Sequence, residues 1–62
     1  MKNLAKRIGM KRILGIYENC LIGYVPGFSG ISICTENRGV AASGFLTYIG
    51  AKNYINILKN KK

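Results

Sequence analysis

The amino-acid sequence predicts a mostly α-helical fold, in which two helices over about residues 4–24 and 40–59 form a hairpin. Apolar residues before residue 25 recur at steps of three and four, the period of an amphipathic helix. Small residues recur at every fourth position from Gly39, and the only proline lies between the two segments. We expect this intervening link to be rich in turns and to hold a short strand over residues 31–34. The alternative is a small α+β fold with a β-hairpin and a C-terminal helix.

The chain is short and strongly basic. Its 62 residues predict a single small domain, and ten Lys and Arg residues against two Asp and Glu residues give a net charge of +8. A soluble domain of this size buries only about 60% of the surface that its unfolded chain exposes, so a partner or a cross-link often supports it. The charge favours acidic partners, either nucleic acid or the anionic surface of a membrane.

The positive charge is concentrated at the two ends of the chain. Residues 1–12 form a basic arm, residues 13–51 a glycine-rich apolar middle, and residues 52–62 a basic tail. Each basic residue near an anionic membrane contributes about 1 kcal/mol of attraction, so a cluster of them binds such a surface. The residues expected to bind an anionic surface are Lys2, Lys6, Arg7, Lys11, Arg12, Lys52, Lys59, Lys61 and Lys62.

Residues 10–24 form the first candidate helix. Its apolar positions follow the helical period and are Met10, Ile13, Leu14, Tyr17, Cys20, Leu21 and Tyr24. A competing interpretation is a hairpin of two strands, Arg12–Tyr17 and Cys20–Val25, joined by Glu18 and Asn19. A two-residue hairpin turn favours Asn-Gly, Asp-Gly or another glycine pair, and Glu-Asn matches it poorly. We therefore favour the helix, with an apolar face that packs in a core or lies in a membrane interface.

The link after this helix has the chemistry of turns. Val25-Pro26-Gly27-Phe28 predicts a type II turn, because proline sets the first central position and glycine accepts the positive φ of the second. Ile31–Cys34 predicts a short strand, and the polar segment 35–39 predicts a second turn. The glycines of this link do not form a phosphate-binding loop, because no Gly-Lys-Ser/Thr sequence follows them.

The second candidate helix begins in an uncharged segment. Gly39, Ser43, Thr47 and Ala51 would form one face of small residues, which permits close approach of another helix. The alternative is a strand over Ala42–Ile49 followed by a short helix. The segment 48–53 also resembles the turn and the start of the recognition helix in a helix-turn-helix, although the apolar spacing after it does not fit that motif.

The residues that usually carry catalysis or bind metals are scarce. The chain has two cysteines and no histidine, so it cannot complete a tetrahedral zinc site from those residue types, and we expect neither a cofactor nor an enzyme. Cys20 and Cys34 could form a disulfide that closes a loop of about 15 residues, which would stabilise the fold by roughly 3 kcal/mol. The alternative is two reduced thiols that pack as small apolar groups.

The features taken together favour a small, cationic, membrane-associated protein. Electrostatic attraction would bring it to anionic lipid, where its amphipathic faces would be buried. In composition, being small, glycine-rich and strongly basic, the chain is similar to cationic bacteriocins that lack a leader, and that similarity implies a membrane-active protein.

Two other functions use the same residues. A nucleic-acid-binding protein would neutralise phosphates with its Lys and Arg residues and stack bases on Tyr17, Tyr24, Tyr48 or Tyr54. A small inhibitor would instead bind another protein, and association into a homo-oligomer would also cover its apolar faces.

Overall fold

The computed structural model describes residues 2–60 and shows an α+β fold, so the prediction of a mostly α-helical hairpin is wrong. The alternative with a β-hairpin and a C-terminal helix is the one that agrees with the structure. Four antiparallel strands form one sheet in the order β1-β2-β3-β4. The elements are α1 (Lys2–Ile8), β1 (Arg12–Tyr17), β2 (Cys20–Tyr24), β3 (Ile31–Thr35), β4 (Gly39–Phe45) and α2 (Tyr48–Asn60).

The predicted helix over residues 10–24 is a hairpin of β1 and β2. Its two turn residues both have positive φ, 49° at Glu18 and 63° at Asn19, as a type I′ turn requires. Asparagine tolerates this conformation, whereas glutamate adopts it at a cost. The Glu18 carboxylate accepts a hydrogen bond from Lys59 Nζ at 2.9 Å, so a contact with α2 supports a turn that local chemistry disfavours.

The sheet lies between the two helices and is buried on both faces at its centre. Consecutive residues of a strand point to opposite faces, and Leu21 and Ile22 accordingly belong to two different cores. One core packs against α1 and contains Leu4, Leu21, Val25 and Cys34. The other core packs against α2 and contains Ile22, Ile31, Ile33, Ala51 and Ile55.

The second predicted helix is divided between a strand and a helix. Gly44 has a φ of +88°, which an α-helix does not accept, and the chain is extended as β4 from Gly39 to Phe45. Thr47 then starts α2, because its Oγ1 accepts a hydrogen bond from the Gly50 backbone N–H at 2.9 Å. The small-residue face and the helix-turn-helix are therefore absent from this segment, since α2 runs unbroken from Tyr48.

The turns of the link are confirmed. The Phe28 N–H donates to the Val25 carbonyl at 3.1 Å, and Gly27 has the φ of +89° that a type II turn needs. The predicted strand over residues 31–34 is present as β3, and a turn follows it at residues 36–38. The link also needs a glycine at position 30, because the φ there is +66° and a Cβ would lie 2.8 Å from the Phe45 carbonyl oxygen.

The expected membrane-associated amphipathic helices are not supported. Most of the apolar residues assigned to the first helix lie in the two cores of a sheet. Over residues 2–60, no helix combines the length and the apolar character that crossing a membrane demands.

Candidate functional site

An open groove lies at the end of the sheet where β1 begins and β2 ends. Its volume is about 560 Å³, within the range of small-molecule sites in proteins. The last residues before β1, the end of β2 and the turn that follows it form its walls. The lining residues are Lys11, Arg12, Tyr24, Val25, Pro26, Gly27, Phe28 and Gly30.

The register of the hairpin places positive charge beside an aromatic ring. Arg12 pairs with Tyr24 across the two strands, and the Lys11 N–H donates to the Tyr24 carbonyl at 2.8 Å. The strands can approach this closely because Gly23 has no side chain. A Cβ at Gly23 would press on the Arg12 carbonyl oxygen and lie 3.0 Å from the Ile13 Cα.

Two aromatic rings remain partly exposed in the groove. Tyr24 is 37% exposed and Phe28 is 47% exposed. The type II turn at Pro26 and Gly27 holds Phe28 at the surface instead of letting it enter either core. Large aromatic side chains that remain accessible beside cations provide a flat face for a planar ligand.

Among residues 2–60, no acidic side chain lies near the positive charge of the groove. The only two carboxylate side chains of the chain are at hairpin turns at the opposite end of the sheet. Glu18 contacts Lys59 at 2.9 Å, and Glu36 contacts Arg7 Nη2 at 3.4 Å. The strand between Arg12 and Glu18 spans about 20 Å at the usual rise per residue, well beyond the Debye length of about 8 Å at physiological salt.

The six basic residues of the predicted anionic-surface set whose side chains the structure describes lie at several places on the fold. Lys11 and Arg12 line the groove, whereas Arg7 and Lys59 are in ion pairs and Lys6 is exposed on α1. Lys52 Nζ lies 5.0 Å from the centre of the Tyr17 ring and 5.5 Å from that of Tyr48, a cation–π arrangement. The remaining predicted residues, Lys61, Lys62 and the side chain of Lys2, lie outside the described part of the chain.

Three of the four tyrosines serve packing. The Tyr17 hydroxyl donates to Asn56 Oδ1 at 2.7 Å, and Tyr48 lies against Gly15, where a Cβ would strike its hydroxyl. Tyr54 packs on Phe45 with ring centres 5.2 Å apart. Tyr24 is therefore the only tyrosine of the predicted set that lines the groove.

Phe28 is a residue of the groove that the sequence patterns did not predict as a site residue. The Pro-Gly turn immediately before it was the available signal, because the residue that follows such a tight turn is commonly held at the surface.

The two cysteines are free and lie on opposite faces of the sheet. Cys20 packs near α2 and Cys34 is fully buried near α1, so the structure does not bring the two sulfur atoms together. Burial, and to a lesser degree the charge of Glu18, raises the pKa of the Cys20 thiol. Burial also raises the pKa of the Cys34 thiol. Both thiols are thus held in the less reactive protonated form.

A second, more apolar groove of about 340 Å³ lies under the end of α2, with Cys20, Ile33, Ile55 and Leu58 among its lining residues. The ion pair between Glu18 and Lys59 occupies its edge and neutralises both charges there.

Residues 2–60 contain no group of three or more Cys, Asp and Glu side chains that could hold a metal ion.

The groove beside Lys11 is therefore the better candidate site. Its side chains can bind an anion with two cations and cover a planar group with two rings. The chain has no significant match to a protein-family model, to a curated protein or to a solved structure.

Proposed function

We propose that this protein binds nucleic acid through the groove at the Lys11 end of its sheet. The observation that carries the proposal is the placement of two exposed cations, Lys11 and Arg12, beside two accessible aromatic rings with no carboxylate near them. Phosphates attract such cations, and neutralising each phosphate releases counterions from the nucleic acid.

The shape of the site favours a chain of phosphates as the ligand in preference to a lipid surface. The cations lie at a concave groove, into which a flexible polyanion can enter, whereas a bilayer presents a broad and nearly flat surface. Interfacial binding to lipid also uses an amphipathic helix with a continuous apolar face. Here the apolar residues of the first predicted helix are mostly engaged in the two cores. The exposed apolar residues of α2, Ile49, Ile57 and Leu58, are the remaining candidates for contact with lipid, which the vesicle experiment below tests.

The net charge supports the same function at long range. A charge of +8 on 62 residues attracts a polyanion before contact and raises the rate of association at low salt. Both glutamates lie in ion pairs at the other end of the sheet, so neither carboxylate offsets the charges of Lys11 and Arg12 at the groove. A polyanion that approaches this end of the sheet is attracted by both cations.

The experiment measures the binding of fluorescently labelled DNA and RNA of about 15 nucleotides by anisotropy, at about 50 and 200 mM salt. The test variant is Arg12→Gln. The matched control is Arg38→Gln, which removes the same charge from an exposed residue at the opposite end of the sheet. We expect Arg12→Gln to weaken binding at both salt concentrations and to reduce the slope of log K against log salt by about 0.7.

Two outcomes contradict the proposal. One is equal weakening by Arg12→Gln and Arg38→Gln, which would show that binding depends on net charge and not on the groove. The other is tight binding to vesicles of anionic phospholipid with no binding to either oligonucleotide, which would identify lipid as the acidic partner.

A further inference from the structure

We infer, on the basis of the proposed function, that the groove selects unpaired bases, so that the ligand is single-stranded nucleic acid. One base would stack on Phe28 or Tyr24, and the phosphate beside it would contact Arg12 or Lys11. The inference rests on the half-exposed rings, which charge attraction to phosphate alone does not require.

The accessible rings are what distinguish single strands from duplexes. Bases in a duplex are stacked on one another and show only their edges in the two grooves. An unpaired base has a free face, and stacking it on an aromatic side chain commonly contributes about 5- to 100-fold in affinity. The rings of Phe28 and Tyr24 can use that contribution only when the bases are unpaired.

The volume of the groove and the neighbouring positions of its basic and aromatic residues agree with the binding of a nucleotide. A volume of about 560 Å³ has room for one base together with its sugar and phosphate. Arg12 and Tyr24 are opposite each other in the hairpin, so their backbones are one strand spacing of about 5 Å apart and both side chains stand on the same face of the sheet. The flexible side chain of Arg12 can cover the distance between a stacked base and its neighbouring phosphate.

The exposed face of the long helix α2 is not suited to reading a duplex. A helix that enters the major groove carries basic or polar side chains on its exposed face. The exposed face of α2 instead presents Ile49, Asn53 and Ile57, without a charge among them. Lys52 is directed to the rings of Tyr17 and Tyr48, and Lys59 is paired with Glu18.

The experiment compares the full chain with Phe28→Leu and Tyr24→Leu, which remove a ring and keep an apolar side chain. The matched control is Tyr54→Leu, since Tyr54 is also 37% exposed but lies on α2. Circular dichroism shows whether each variant remains folded. The ligands are single-stranded DNA and RNA, the duplex of the same sequence, and an abasic strand that keeps the phosphates.

We expect the intact single strand to bind more tightly than the duplex and the abasic strand. Phe28→Leu should lose about 5- to 100-fold in affinity for the intact strand, with an unchanged salt slope and little change for the abasic strand. Comparison of DNA with RNA shows whether the sugar contributes.

The failure of this inference is distinct from the failure of the proposed function. If Arg12→Gln weakens binding but both ring variants bind the single strand as the unchanged protein does, nucleic-acid binding is retained and base stacking is excluded. Equal affinity for the duplex and the single strand also overturns the inference. If no oligonucleotide binds at all, both proposals are wrong.

Discussion

Lys59 Nζ lies 2.9 Å from Glu18 Oε1, and this contact joins the last turn of α2 to the tip of the β1–β2 hairpin. The two residues are 41 positions apart in the chain. Glu18 adopts a left-handed conformation that glutamate disfavours, with a φ of 49°. The hairpin that positions Arg12 opposite Tyr24 thus depends partly on a contact made by the C-terminal helix.

The stabilising effect of this pair should disappear at high pH. A hydrogen bond from Lys59 to the Glu18 carboxylate, reinforced by the charge of that carboxylate, raises the pKa of Lys59 above its ordinary value of about 10.5. The pair therefore stabilises the fold fully below about pH 10.5, and this contribution is lost as the pH rises through the higher pKa of the folded state. We expect the melting temperature of Lys59→Gln to lie below that of the unchanged protein at pH 8.

The difference in melting temperature between the two proteins is the quantity to follow, because any other effect of pH on stability is common to both. Melting curves recorded by circular dichroism from pH 8 to about 11.5 should show this difference decreasing above pH 10.5. A difference that stays constant across the whole range would show that Lys59 acts through packing of its hydrocarbon stem and not through its charge.

Replacement of Glu18 separates the cost of its backbone conformation from the benefit of its charge. Glu18→Gly and Glu18→Ala both remove the carboxylate, but only glycine accepts a positive φ without a steric cost. We expect Glu18→Gly to be more stable than Glu18→Ala by about 1 kcal/mol. Urea unfolding of the two variants measures the difference, and equal stability would show that the turn relaxes to another conformation when the ion pair is absent.

The same turn explains why the sequence predicted a helix over residues 10–24. A strand with one buried face shows alternating apolar and polar residues, but β2 is buried on both faces and has apolar residues at consecutive positions such as Leu21 and Ile22. Such a run satisfies the helical period as well. Turn chemistry then favours the helix over the hairpin, because Glu-Asn is a poor hairpin turn. In the structure this turn is supported by the contact of Glu18 with Lys59, a distant residue that no local sequence pattern indicates.

Parts of the fold governed by local chemistry were predicted correctly. The type II turn at Pro26 and the strand that begins at Ile31 depend on neighbouring residues, and both are present. For the site, Lys11 and Arg12 were predicted as part of a basic arm, but their position beside Tyr24 follows from the hairpin register. A helix over residues 10–24 contains no such register, so its prediction gives no information about which residues face each other at the groove.

Replacement of the buried Ser32 by alanine should stabilise the protein. Its hydroxyl is completely buried in β3 and has no hydrogen-bond partner among the described residues. A buried polar group without a partner costs about 1–3 kcal/mol, so Ser32→Ala should raise the free energy of unfolding by about 1 kcal/mol. The control is Ser43→Ala on the exposed side of β4, which should change stability by less than about 0.5 kcal/mol. A loss of stability in Ser32→Ala would indicate that the hydroxyl has a partner, such as a buried water molecule.

The two thiols should react slowly and at different rates. The raised pKa values of Cys20 and Cys34 leave less thiolate at pH 7.5 than an ordinary cysteine with a pKa of about 9.0 would have. Because Cys34 is fully buried, it should react with a disulfide reagent only through opening of the fold, and therefore more slowly than Cys20. Single-cysteine variants, each with the other cysteine changed to alanine, assign the two rates. Rapid oxidation of the native chain to an intramolecular disulfide would contradict the placement of the thiols on opposite faces of the sheet.

Gly27 and Gly30 both have positive φ, but they should differ in how well they tolerate alanine. Gly27 has open space around its missing side chain, so Gly27→Ala meets only the conformational cost of about 1–2 kcal/mol. At Gly30 the new methyl group would also lie 2.8 Å from the Phe45 carbonyl oxygen, which belongs to β4. That backbone must move to make room, and overpacking of this kind adds about 1–3 kcal/mol.

We therefore expect Gly30→Ala to be the less stable of the two variants in urea unfolding, by at least about 1 kcal/mol. The comparison also tests the wall of the groove, since Gly30 fixes the link that carries Phe28 against the end of β4. If the two variants were equally stable, the link would be free to move away from Phe45, and the groove would not hold Phe28 in one position for stacking.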